Sequence, residues 1–198
     1  MSPIDGPTLA AAALVAGPAL LVGYLIGSIP LSSRVGRAAG VAIVRGHEAN
    51  PGPAGVWRQA GPGWGLLALT GDLAKGLLPV AMGAVTVSWA IGWVAGLGAL
   101  LGACWPLFGR LPGGPGVAVL AGVAFGLSPA AGIIGALLGV VVVVVARLLG
   151  RNGRVAAIAV GTGTYSLVFF ADQADLLRLA ALMTLFLVAA LRHATTRR

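Results

Sequence analysis

The sequence contains very few charged residues. Charged side chains make up 9% of its 198 residues, whereas a typical soluble domain has about 25%. Apolar residues make up 58% of the chain, 32 residues are glycine, and the mean hydropathy is +0.98. This composition excludes a soluble globular domain and predicts an integral membrane protein.

Cysteine and histidine are also scarce. The single cysteine, Cys104, excludes an intramolecular disulfide and a multi-cysteine metal site, and His47 and His193 are too far apart to form a zinc motif. We therefore expect no cysteine- or histidine-bound metal and no cofactor. The formal net charge of +8 does not indicate a nucleic-acid partner, because the basic residues lie between long apolar runs instead of forming one continuous basic face.

The apolar runs predict an all-α, polytopic membrane helical bundle in a single domain, 1–198, with about seven transmembrane helices. A bilayer core needs about 20 apolar residues per helix. The 116–128 run is shorter than this, so we expect it to be re-entrant or a half-helix. Dense small residues, as at Gly92 and Gly96, predict close helix packing. The predicted spans are 8–30, 63–86, 88–108, 116–128, 130–149, 154–171 and 175–192.

The basic residues predict the orientation of these spans, because cytoplasmic segments collect Lys and Arg. If the amino end is outside and the carboxyl end is cytoplasmic, the acidic pair Asp172 and Asp175 falls outside and Arg178 is the only basic residue near the outer surface. The remaining arginines then lie on the inner side. They are Arg34, Arg37, Arg45, Arg58, Arg110, Arg147, Arg151, Arg154, Arg192, Arg197 and Arg198.

The loop predicted over 31–62 is a candidate anion site. Its stretch from Asn50 to Gly55 is rich in Gly and Pro, which indicates irregular backbone with free N–H groups that can face an anion. Arg45, Gly52 and Arg58 lie in the same loop. The alternative is a basic loop that only sets the topology.

Asp72 and Lys75 lie inside the second predicted span. An ionisable residue at the centre of a membrane helix costs about 2.5–3.5 kcal/mol on the insertion scale, so such a residue suggests a functional site. A spacing of three places both on one helix face, where they can neutralise each other. The alternative is a structural ion pair between helices.

Two further segments are candidates for anion binding. The turn from Leu111 to Gly116 precedes an apolar run, and a glycine-rich turn at a helix amino end can bind phosphate or carboxylate. A tight turn between helices is the alternative. The tail from Leu191 to Arg198 contains His193, which could carry a proton or bind an anion. A solvated basic stop signal is the alternative there.

Together these features resemble the bacterial glycerol-3-phosphate acyltransferases that use acyl phosphate as donor. The resemblance covers nearly the whole chain and includes the complete Asp-x-x-Lys-Gly-x-x-Pro-Val motif. The matching positions are Gly27, Ser28, Ile29, Pro30, Arg45, Asn50, Gly52, Arg58, Asp72, Lys75, Gly76, Pro79, Val80, Trp105, Pro106, Phe108, Gly113, Gly114, Gly116, Val117, Ala118 and His193.

The chain departs from the family pattern mainly in the polar motifs. Pro115 replaces the lysine of Gly-Gly-Lys-Gly, and Pro112 replaces the basic residue before that motif. The other departures are Ile43, His47, Glu48, Ala49, Gly55, Ala103, Val119 and Thr196. Two anions held together require cationic donors, and losing one such donor commonly costs about 10²-fold in rate. Arg110, next to the glycine-rich turn, is a candidate replacement.

The resemblance implies a membrane enzyme that transfers a fatty acyl group from acyl phosphate to glycerol 3-phosphate, with the lipid bilayer as its surroundings. The implied catalytic residues are Arg45 and His193. The implied substrate-binding residues are Asn50, Gly52, Arg58, Asp72, Lys75, Gly113, Gly114 and Gly116, to which we add Arg110 as the candidate replacement for a missing family cation. The alternatives are a catalytically inactive relative that serves as a membrane subunit or lipid-binding partner and, third, a small anion transporter.

Overall fold

The structure is a computed structural model that describes residues 6–41, 52–108 and 116–148. Within these ranges every regular element is an α-helix, as expected. The helices are α1 (Gly6–Gly27), α2 (Leu31–Ala38), α3 (Gly52–Ala60), α4 (Pro62–Thr86), α5 (Trp89–Cys104), α6 (Val117–Leu127) and α7 (Pro129–Leu148). The predicted spans 154–171 and 175–192 lie outside the described residues.

The chain breaks between α1 and α2 at the sequence Gly27-Ser28-Ile29-Pro30. Pro30 immediately precedes α2, and a proline cannot donate the backbone hydrogen bond that a continuing helix requires. The first helix therefore ends at Gly27, three residues before the predicted end of its span. The chain resumes helical structure at once, at Leu31.

The expectation of an irregular loop over 31–62 is wrong for the described part of this segment. Residues 31–38 and 52–60 form α2 and α3, and both helices pack against α4. Pro53 falls in the first turn of α3, where a proline is tolerated because its missing N–H would have no helical partner. From Gly52 onward the Gly- and Pro-rich stretch is therefore the first turn of α3, where the backbone is helical and the leading N–H groups have no partner within the helix.

The other described spans agree closely with the prediction. α4 begins one residue before its predicted start and ends at the predicted residue 86, while α5 stops at Cys104 instead of residue 108. The sequence Trp105-Pro106 follows at once, and proline disfavours helical backbone in the residue before it. The short run is a separate helix, α6, of 11 residues.

Small residues bring the helices into backbone contact, as predicted. A side-chain carbon added at Gly27 of α1 would collide with the carbonyl oxygen of Ala99 on α5, and one added at Gly102 would collide with the carbonyl oxygen of Tyr24. Gly92 and Gly96 likewise face Val80 of α4. The helices can approach this closely because the contact surfaces lack side chains.

The apolar core lies between α4, α5 and α6. Its buried members are Val80, Leu100, Cys104, Leu120, Val123 and Leu127. Many other large apolar side chains are exposed, including Leu14 at 79% and Val85 at 86%, which suits a surface that faces lipid. Among the described residues, the stretches Leu14–Ala38 and Pro62–Thr86 are long and apolar enough to cross a membrane, with mean hydropathies of 1.9 and 1.3.

Candidate active site

Asp72 and Lys75 form a buried ion pair in α4. The Lys75 Nζ lies 2.7 Å from the Asp72 Oδ1, and the two residues are only 7% and 8% exposed, respectively. Asp72 is ten residues beyond Pro62, so the pair begins about 15 Å along the helix axis. The prediction that the two residues neutralise each other is confirmed. The pair lies within one helix, so the alternative of an ion pair between helices is wrong.

The break between α1 and α2 supplies two further partners for this pair. The Ser32 hydroxyl donates to the Asp72 Oδ2 at 2.6 Å, and the Lys75 Nζ donates to the Ile29 carbonyl oxygen at 2.9 Å. A hydroxyl that donates to a carboxylate at this distance forms a charge-assisted hydrogen bond, which is stronger than a neutral one. The α4 pair therefore holds the polar backbone and side chain of the break.

The sequence did not identify Ser32 or Ile29 as partners of the pair. They lie 40 and 46 residues from Asp72 and Lys75, and no helical period relates positions so far apart. The sequence does indicate that such partners must exist, because a buried carboxylate requires hydrogen-bond donors and a helix break provides polar groups that can serve. A contact at this separation depends on how α1, α2 and α4 pack.

The ion pair contributes no net charge to its surroundings. The Asp72 Oδ1 lies beside the ammonium and accepts no other hydrogen bond from a described residue. Two donors of the Lys75 ammonium are used by Asp72 and Ile29, out of the three that an ammonium has. The geometry of the ion pair suits a structural link between α4 and the α1–α2 break. Binding an anionic substrate would require positive charge from other residues.

The end of the glycine-rich turn packs against α5, and the helix that follows it packs against α4 next to the ion pair. Gly116 precedes α6 with a left-handed backbone, φ 68°, and a side-chain carbon there would approach the Cys104 Sγ at 3.0 Å. In the first turn of α6, the Val119 carbonyl oxygen packs against Gly76, the residue after Lys75. The end of the turn therefore lies against the end of α5, and the start of α6 lies against the polar part of α4.

Three arginines near this region are exposed. Arg34 and Arg37 lie on α2, and Arg58 lies in the last turn of α3. Asp72 is the only acidic residue in the described part of the chain, and it is engaged with Lys75 and Ser32. The arginines consequently have no carboxylate partner among the described residues and can attract anions.

Several candidate residues have no described position. Of the sequence-predicted set, the structure places Gly52 at the start of α3 with φ 57°, as well as Arg58, Asp72, Lys75 and Gly116. No group of three or more His, Cys, Asp or Glu that could hold a metal occurs within 6–41, 52–108 or 116–148. The candidates outside these ranges are Arg45, Asn50, Arg110, Gly113, Gly114 and His193.

Comparison with known proteins identifies similar sequences along most of the chain. The sequence model of a family described as glycerol-3-phosphate acyltransferase matches residues 18–198. A protein of that name from Rubrobacter xylanophilus is 43% identical over 58% of this chain, which spans 58% of that relative. Another from Desulforudis audaxviator is 36% identical over 69% of this chain and 70% of its own length.

The fold is also similar to solved structures. Crystal structures of PlsY, an integral membrane glycerol 3-phosphate acyltransferase, superpose with a TM-score of 0.77 at 26% identity. The superposition with the glycerol 3-phosphate form covers 91% of this chain and 88% of that protein. The second structure is the lysophosphatidic acid form and covers 90% of this chain and 87% of that protein.

Proposed function

The chain belongs to the glycerol-3-phosphate acyltransferase family, and from this premise we propose that it acylates glycerol 3-phosphate to lysophosphatidic acid in phospholipid synthesis. The proposed donor is an acyl phosphate. The observation that carries the proposal is the similarity over 91% of the chain to the glycerol 3-phosphate form of an integral membrane acyltransferase.

The reaction joins two phosphate-bearing substrates. The glycerol 3-phosphate hydroxyl attacks the acyl carbon, a carbon–oxygen ester bond forms, and the bond from that carbon to the donor phosphate oxygen breaks. The hydroxyl proton leaves with the departing phosphate, so the products are lysophosphatidic acid and inorganic phosphate. Because both substrates are anionic, the site requires cationic groups that stabilise the developing charge.

The arginines supply that charge in the proposed site. Arg45 and His193 are the proposed catalytic residues, with Arg45 on a phosphate group and His193 on the acceptor. Arg58 and Arg110 add positive charge where the family lysine is replaced by Pro115. The neutral pair of Asp72 and Lys75 braces the site through the α1–α2 break. The remaining proposed phosphate-binding groups are Asn50, Gly52, Gly113, Gly114 and Gly116.

The protein is a multi-pass integral membrane protein, like PlsY. We infer seven spans in one domain of the bacterial cell membrane, with the amino end outside and the carboxyl end in the cytoplasm. The excess of arginine in the predicted inner segments supports this orientation. The proposed site then faces the cytoplasm.

Purified protein in detergent or phospholipid vesicles tests the activity. Palmitoyl phosphate and radiolabelled glycerol 3-phosphate should yield labelled lysophosphatidic acid and inorganic phosphate in equal amounts, and a heat-inactivated sample is the control. A parallel reaction with palmitoyl coenzyme A tests the donor and should give no product. If no lysophosphatidic acid forms with either donor across several lipids and detergents, the chain is an inactive relative.

Variants test the assignment of the arginines. Arg45→Ala and Arg110→Ala should each lower the rate about 10²-fold, because each removes a cationic donor from the reacting phosphates. Arg34→Ala is the matched control, since Arg34 is an exposed arginine of α2 and is not among the proposed ligands. Unchanged rates for both Arg45→Ala and Arg110→Ala would refute the assignment.

A further inference from the structure

The ion pair of α4 holds the α1–α2 break at two points, one on each side of Pro30. Before the proline, the Ile29 carbonyl accepts a hydrogen bond from the Lys75 Nζ at 2.9 Å. After it, the Ser32 hydroxyl donates to the Asp72 Oδ2 at 2.6 Å. Both partners of one ion pair thus fix the direction in which α2 leaves α1.

Ser32 determines how the ammonium is shared between its two acceptors. Ser32 is 3% exposed, so water does not replace its hydroxyl readily. Without the hydroxyl, the Asp72 Oδ2 would be buried with no donor, which is costly. Turning both carboxylate oxygens toward Lys75 would relieve that cost but would draw the ammonium away from the Ile29 carbonyl. The break would then lose both of its attachments.

The segment that follows the break carries proposed substrate ligands. α2 leads through residues 42–51, which include Arg45 and Asn50, to α3 with Arg58. α2 packs against both α3 and α4. A shift at the start of α2 therefore changes the surface against which α3 and its Arg58 pack, although Ser32 itself is buried away from solvent.

We propose that Ser32 is a positioning residue for phosphate binding, which acts through Asp72 and Lys75 to hold the α1–α2 break and thereby α2 and the helix packed against it, α3, which carries Arg58. This inference rests on the proposed function. It adds a residue that does not touch substrate and that has no charge of its own.

Steady-state kinetics of Ser32→Ala, with palmitoyl phosphate and glycerol 3-phosphate, test the proposal. The KM for glycerol 3-phosphate should rise about tenfold, the lower end of what a hydrogen bond to a charged group is worth. Ser32→Thr keeps the hydroxyl and should restore the KM to within threefold of the original. In an Asp72→Leu background, where the hydroxyl has no side-chain acceptor at position 72, Ser32→Ala should raise the KM less than twofold further, because Ser32 acts through Asp72.

Ser28→Ala is the matched control. Ser28 is a fully buried serine in the same break, but its hydroxyl donates at 2.7 Å to the Tyr24 carbonyl of its own helix, so its KM should change less than twofold. A Ser32→Ala protein with lower thermal stability and an unchanged KM would overturn the proposal, as would equal KM changes for Ser28→Ala and Ser32→Ala. If Ser32→Ala does not fold, Ser32→Cys, with its weak donor, should raise the KM in the same direction, and an unchanged value would overturn the proposal.

A calorimetric titration separates this proposal from the proposed reaction. If the unaltered protein forms no lysophosphatidic acid, the acyltransferase function fails, but the affinity for glycerol 3-phosphate can still be measured. Ser32→Ala should then raise the dissociation constant about tenfold. Equal constants for the two proteins, or no binding by the unaltered protein, would overturn the role of Ser32.

Discussion

The buried pair of α4 predicts a strong energetic coupling between two side chains. Asp72 and Lys75 are almost fully buried and lie 2.7 Å apart. Removing one partner leaves the other as an uncompensated buried charge, which costs about 3–5 kcal/mol. Asp72→Asn and Lys75→Met should therefore each lower the free energy of unfolding by about 3–5 kcal/mol, although each substitution nearly preserves side-chain size.

The variant that carries both substitutions should lose far less free energy of unfolding than the sum of the two single losses. In Asp72→Asn with Lys75→Met no buried charge remains, and the amide oxygen of the introduced asparagine can still accept the Ser32 hydroxyl. The chief loss is the donor to the Ile29 carbonyl, which costs about 1–3 kcal/mol. The two substitutions should therefore couple by about 3 kcal/mol or more, beyond the 0.5 kcal/mol or so that independent sites show.

Equilibrium unfolding in mixed micelles of dodecyl maltoside and sodium dodecyl sulfate, followed by tryptophan fluorescence, measures these differences. The chain has five tryptophans as probes. Losses that simply add in the double variant would refute the reasoning, because they would mean that neither charge depends on the other. Single variants with less than about 1 kcal/mol of destabilisation would refute it as well, since the pair would then behave like a solvent-exposed one.

Three further predictions concern packing and topology. Gly27→Ala should lower the free energy of unfolding by about 1–3 kcal/mol, because its new methyl group would collide with the Ala99 carbonyl oxygen. The control Gly17→Ala has open space around it and should raise the free energy of unfolding by up to about 1 kcal/mol. The same micelle assay measures both variants, and equal effects would contradict the contact at Gly27. Gly116→Ala should lower the free energy of unfolding by about 1–2 kcal/mol, because residue 116 has a left-handed backbone. An unfolding temperature no lower than that of the unaltered protein would contradict that conformation. Alkaline phosphatase fused to the carboxyl end should be inactive in bacteria and a fluorescent protein there should fluoresce, and the reverse pattern would refute the cytoplasmic orientation.

The helices of the described region were largely predictable from apolar runs. α4 was predicted to begin at residue 63 and begins at Pro62, and the short run at 116–128 is the separate helix α6. These boundaries follow from local chemistry, because long apolar segments form helices in lipid and proline interrupts them. α2 and α3 were missed since their Gly, Pro and polar residues mimic a loop, and their helical state depends on packing against α4.

The candidate site was predictable only in part. Two ionisable residues three positions apart in an apolar helix were sufficient to predict the pair of Asp72 and Lys75, because the cost of buried charge requires neutralisation. The partners Ser32 and Ile29 could not be predicted, since a hydroxyl and a backbone carbonyl are common groups and nothing local assigns them to α4.

By itself the sequence determined that this is a membrane protein of apolar helices with its positive charge concentrated in a few segments, because lipid tolerates little else. Its motifs also indicated the family. The tertiary structure alone decided that the α1–α2 break lies against the α4 pair and that the start of α6 reaches Gly76. Those contacts join residues far apart in the chain, and they form because glycine surfaces let the helix backbones approach until buried polar groups find partners.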